Sequence, residues 1–157
     1  MAAVAVAERP EPMVATLTPR RFEMPDLSSD GGWAIDRLLK VYKHLNQQQL
    51  AGWLRSIVYN NEFLFLWLPH AVALAQIESA HTLSPRPVVR EHFVWAHDPK
   101  DPKHVAEAAQ MYERIRNWAK QQGAATIIVA EQSDVPVETL KQMFERVFER
   151  PQKFVRV

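Results

Sequence analysis

The stretch that most limits what this chain can fold into runs from Val88 to Ala130, where an apolar run, a break, a long helix punctuated at both ends and a second apolar run follow one another. VVREHFVWAH (88–97) reads as a strand, and DPKDPK after it has the composition of a loop. Asp101 supplies an N-cap. Pro102 takes the first helical position, where a missing N–H costs nothing, and Gly123 stands where a helix closes in the left-handed conformation. ATIIVA (125–130) is then a short strand of the fully buried kind.

The flanking segments read in the same way. Trp33, Ile35, Leu38, Leu39, Tyr42 and Leu45 are spaced as one apolar face, which predicts a helix from about Trp33 to Leu45 with Asp30 as its cap. Asn46 caps a second helix carrying Leu50, Trp53, Leu54, Ile57 and Val58, which ends near Asn60-Asn61. EFLFLWLPH (62–70) and AVALAQIESA (71–80) predict a buried antiparallel hairpin turning near Pro69-His70, although the alanines of the second run also suit a helix. Ser133 or Asp134 caps a later helix with Pro136 near its start and Leu140, Met143, Phe144, Val147 and Phe148 on one side. Pro151 ends that helix, and KFVRV is a closing strand. The predicted order is α-α-β-β-β-α-β-α-β.

Composition narrows the function classes. At 157 residues and 47% apolar content the chain can bury one proper core. We expect a single domain over 31–157 behind an extended arm, 1–30, in which Pro10, Pro12, Pro19 and Pro25 interrupt any period. The absence of cysteine removes disulfides, thiolate nucleophiles and cysteine-based metal sites. Four glycines allow neither the phosphate loop GxxxxGK[ST] nor the dinucleotide fingerprint GxGxxG. A formal charge of +1 without a run of like charges argues against nucleic acid held by bulk charge. Ala2–Ala7 is too short for a secretory leader, and nowhere do eighteen apolar residues run together. We therefore expect neither secretion nor membrane insertion.

The element order over about Trp33–Val157 resembles the GNAT superfamily of acetyl-CoA-dependent N-acetyltransferases. The likeness is sharpest in VWAHDP and in a long helix ending WAKQQGAATIIVA, where an alanine, three residues, a glycine and a strand fall on Ala119, Lys120-Gln121-Gln122, Gly123 and 125–130. The resemblance implies an α+β fold of three layers (α/β/α), with a mixed, mostly antiparallel sheet between helices. Counting back from Ala119 puts the family's pyrophosphate loop, [QR]xxGx[GA], on Lys103, His104, Val105, Ala106, Glu107 and Ala108. In the family, backbone amides there hold the coenzyme at the positive end of a helix. Lys103 keeps a cationic role and Ala108 is an accepted residue, whereas Ala106 replaces a glycine and Glu107 adds a negative charge. Strand amides near Val94 and Ala96 would hold the pantetheine or polarise the thioester. Glu91 would be the general base, or else His92 on the opposite face of the strand. The tyrosine that many family members carry in the last helix is replaced here by Met143 or Phe144.

Other constellations read as structural. Among the histidines the densest group is His92, His97, Asp98 and His104, but strand alternation sends His92 and His97 apart and no HExxH occurs, so no metal site is expected. No GxSxG surrounds a serine, and the five tryptophans sit on apolar faces. Arg20-Arg21 beside FEMPDL makes a reasonable docking segment.

Two functions follow as expectations. The first is an interaction or structural component that keeps the fold without efficient acetyl transfer and docks to protein partners through its arm; degenerate folds of this family look like some internal or tail-associated bacteriophage virion proteins. The second is an acetyl-CoA-dependent N-acetyltransferase with a divergent loop. The corresponding locations are the cytoplasm or a virion.

Overall fold

The computed structural model describes residues 19–21, 32–78, 86–130, 133–144 and 153–156. Its elements are β1 (Arg20–Arg21), α1 (Gly32–Val41), α2 (Gln47–Val58), β2 (Phe63–Leu68), β3 (Ala71–Glu78), β4 (Val88–Ala96), α3 (Pro102–Gln121), β5 (Thr126–Val129), α4 (Val137–Met143) and β6 (Lys153–Arg156). The alanine-rich run is a strand, because its hairpin partner and β4 take up its backbone groups on both sides. In chain order the elements run β-α-α-β-β-β-α-β-α-β, with β1 coming from the arm; residues 1–18 and 22–30 of the arm lie outside the described residues.

Local chemistry explains the ends of several elements. Asn46 caps α2, its side-chain oxygen accepting the Gln49 N–H at 2.8 Å while the Gln49 side chain accepts the Asn46 N–H at 3.0 Å. Asp101 caps α3 by accepting the Lys103 N–H at 2.9 Å, and Gly123 follows that helix at φ +80°. The first helix stops at Val41 rather than Leu45. The Tyr42–Leu45 turn after it still packs Tyr42 and Leu45 on the core, so their apolar spacing needs no helix. α4 begins after Pro136 with no side-chain cap, which corrects the expectation for Ser133 and Asp134; both side chains are used elsewhere. Asp30, Val147, Phe148 and Pro151 lie outside the described residues.

The strands form one six-stranded sheet in sequence order, antiparallel throughout except for β4 and β5. Parallel neighbours need a crossover, and α3 supplies it. Alternation along the strands feeds two cores. Leu64, Leu66, Ala73, Val89 and Val94 pack with Met111, Ile115 and Trp118 of α3 and Leu140 of α4. Phe65, Val72, Leu74, Phe93 and Trp95 pack on the other face with Ala34, Leu38, Leu50, Leu54 and Ile57 of α1 and α2. The protein is thus α+β, a mixed sheet between two helical layers. The pairing of β3 with β4 slips by one residue between Leu74 and Ala75, which face Phe93 and Glu91, so His92 is the extra residue of a bulge. No helix among the described residues is long and apolar enough to cross a membrane.

Candidate functional site

β4 and β5 pair only through Val89 with Ile127 and Arg90 with Ile128, and β4 then runs on to Ala96 without that neighbour. A buried strand edge must satisfy its N–H and C=O groups by other means. Asp134 does this. Its N–H donates to the Val94 carbonyl at 2.9 Å, and its Oδ2 accepts the Ala96 N–H at 2.9 Å. Arg37, from α1, clamps the same carboxylate with both terminal nitrogens at 2.6 and 2.9 Å and donates to the Ala96 carbonyl at 3.2 Å. Its guanidinium lies 4.5 Å over the ring of fully buried Trp95. The Val94 carbonyl and both backbone groups of Ala96, on the stretch that the family resemblance assigns to a pantetheine, are therefore engaged within the protein.

Glu91 sits where the two strands part, and it is buried. Tyr112 of α3 donates its hydroxyl proton to Glu91 Oε1, and the Ala130 N–H donates to Oε2 at 3.3 Å. With the tyrosine proton so committed, the Ser133 hydroxyl donates to the Tyr112 oxygen at 2.6 Å, and the Val135 N–H reaches Ser133 Oγ at 3.3 Å. Burial above all, then the charge of Glu91, holds the Tyr112 hydroxyl protonated well above its usual range. Donors converge on a carboxylate that is closed to solvent. The expected general base thus lies buried in an internal network. His92 lies on the opposite face, as alternation requires. There it meets Gln76 Oε1 at 2.8 Å, and burial followed by the charge of Arg90 keeps its pKa below the ordinary imidazole range.

The expected phosphate loop is helical. The Asp101 carboxylate takes the Lys103 N–H, the Asp101 carbonyl takes the Val105 N–H at 3.1 Å, and Ala106, Glu107 and Ala108 lie within α3, where intrahelical bonds use their amides. Glu107 is buried, and its Oε1 accepts the His70 N–H at 3.0 Å, which ties the β2–β3 turn to α3. The helix start thus carries the Asp101 carboxylate, and the Lys103 and Val105 amides are bonded to Asp101.

His104 belongs to a different constellation. His70 in the β2–β3 turn, His97 after β4 and His104 in the first turn of α3 bring their ligand nitrogens within 4.8 Å of one another. His70 and His104 stack with ring centres 4.1 Å apart, and Trp33 of α1 stacks on His97 at 4.8 Å. Asp98, from the same linear group, presents its N–H to His104 Nδ1 at 3.1 Å.

Sequence reasoning missed Tyr112, Arg37, Asp134 and His70 as members of these sites. Tyr112 carried a signal, a phenol on the helix face that otherwise bears Met111, Ile115 and Trp118. No protein-family model matches the chain, and no curated protein matches it.

Proposed function

We propose that this is a GNAT-like domain whose coenzyme cleft has been built shut, and that it serves as a binding component of a larger protein assembly rather than as an acetyltransferase. The observation that carries this reading is the engagement of Val94 and Ala96 by Asp134, itself clamped by Arg37. A pantetheine would have to displace a backbone hydrogen bond and a bidentate ion pair before making its own bonds, an exchange with little net gain. The helical state of 103–108 and the burial of Glu91 support the same reading.

The arm is the proposed docking element. Arg20 and Arg21 pair with Trp67 and Leu66 on the outer side of β2, and Arg21 Nη1 donates to the Phe63 carbonyl at 3.1 Å, so the arm is tethered where it joins the sheet. A bacteriophage particle is the assembly that the family resemblance suggests. Isothermal titration with acetyl-CoA, with desulfo-CoA as a non-reactive control, tests the reading: no heat at millimolar coenzyme is expected. Binding near 1 µM, about 8 kcal/mol, together with acetylation of an amine, would replace it with the enzyme reading. Truncation ahead of Pro19, which spares β1, is expected to leave the thermal transition in place and to abolish co-assembly.

A further inference from the structure

We propose that His70, His97 and His104 form a binding site for a divalent transition-metal ion of the zinc class, at the end of the sheet where the β2–β3 turn, the β4–α3 loop and the start of α3 meet. Imidazole nitrogen is the ligand such ions prefer among the side chains here, and three histidines with an open fourth position form a recurrent zinc set. The three residues come from segments far apart in sequence, yet their ligand nitrogens lie within 4.8 Å of one another.

Two independent observations point to a ligand. His70 Nδ1 is buried and has no hydrogen-bond partner among the described residues, so a lone pair or a proton is held out of water with nothing there to answer it. His104 is poised by its neighbours. Nδ1 accepts the Asp98 N–H, so the ring proton sits on Nε2, which faces Asp101 Oδ2 at 3.5 Å. That is the carboxylate–histidine arrangement that orients a metal-binding imidazole and leaves Nδ1 as the ligand atom. Asp98 and its N–H lie at the surface and can turn to water when an ion takes their place.

Binding has a cost that sets the affinity. An imidazole lone pair lies in the plane of its ring, and His70 and His104 lie face to face with their planes 13° apart. At least one ring must therefore turn out of the stack for both to reach one ion. The site is open at His97, which is exposed. These two features place the expected affinity on the order of micromolar, weaker than a closed structural zinc site.

The test uses the full chain without a histidine tag. Titration with Co²⁺ is expected to give the visible absorption of a tetrahedral nitrogen-ligated ion, removed by one equivalent of Zn²⁺. His97→Ala removes an exposed ring that stacks on Trp33, and is expected to abolish the band while leaving the protein folded with a cooperative thermal transition. His104→Ala is expected to do the same. Asp101→Asn keeps the helix cap and is expected to weaken Zn²⁺ binding about tenfold. His44→Ala, on the turn after α1, is expected to change nothing. The absence of a cobalt band and of zinc heat overturns the proposal, as does binding that is unchanged in both His97→Ala and His104→Ala.

Discussion

Replacing Asp134 with alanine removes one carboxylate and leaves the rest of the 133–135 turn in place, so its cost can be worked from its partners. The Ala96 N–H belongs to a fully buried residue and would lose its acceptor, which costs about 1–3 kcal/mol. The pair with Arg37 is partly screened, since the side chains are 28% and 12% exposed, so its loss adds about 1 kcal/mol. The sum is about 3 kcal/mol, or a fall in Tm of roughly 6–12 °C for a domain of this size. Asp134→Asn keeps an oxygen for the Ala96 N–H and gives up only the charge, so it is expected to cost about 1 kcal/mol. Urea unfolding of both variants, with Arg37→Ala and the double mutant to complete a cycle, measures each part. A loss below about 0.5 kcal/mol for Asp134→Ala, or equal losses for the two substitutions, would refute the assignment of Asp134 as the partner of the β4 edge.

Further predictions concern the groups around that edge. Tyr112→Phe leaves Glu91 and Ser133 each short of a partner and is expected to cost about 2 kcal/mol by the same assay. Since folding raises the Tyr112 pKa, the stability it lends is full below its ordinary value of 10.0 and is lost as pH rises beyond it; a shallower alkaline decline in Tyr112→Phe checks the sign. His92 has its pKa lowered on folding, so its contribution is full above 6.5 and is lost as pH falls toward the folded value. Its imidazole resonances are expected to titrate with a midpoint below 6.5, and a midpoint at or above it would contradict the burial argument. Gly123→Ala meets no atom of the described residues within 4 Å but forces a side chain to φ +80°, and is expected to cost about 1 kcal/mol in thermal unfolding.

What could be read from the sequence was whatever depends on near neighbours. The Asn46 cap, the Asp101-Pro102 start and the Gly123 stop each act within a turn of the chain, and each is found as expected; the return bond from Gln49 completes the first of them. Ser133 and Asp134 looked like caps by the same local logic. Their partners are Tyr112, Ala96 and Arg37, the last of them 97 positions away, and no spacing rule reaches that far. Strict alternation sends His92 and His97 to opposite faces, but the bulge at His92 puts it and Phe93 on the same face of the sheet, and the rings of His92 and His97 stack on Phe63 and Trp33, which pack against one and the same core. His97 and His104 were adjacent enough in sequence to be grouped. His70 joins them only because the hairpin turn and the β4–α3 loop fall at the same end of an antiparallel pair, where the His97 N–H bonds to the His70 carbonyl at 2.9 Å.

Amide hydrogen exchange at Ala96, followed by NMR, tests whether the edge of β4 beyond Arg90 is closed by the protein itself. The Ala96 amide is expected to be protected to the level of the central strands, and millimolar acetyl-CoA to leave its rate unchanged. Exchange near the rate of an unstructured peptide, or protection that appears only when acetyl-CoA is added, would contradict it.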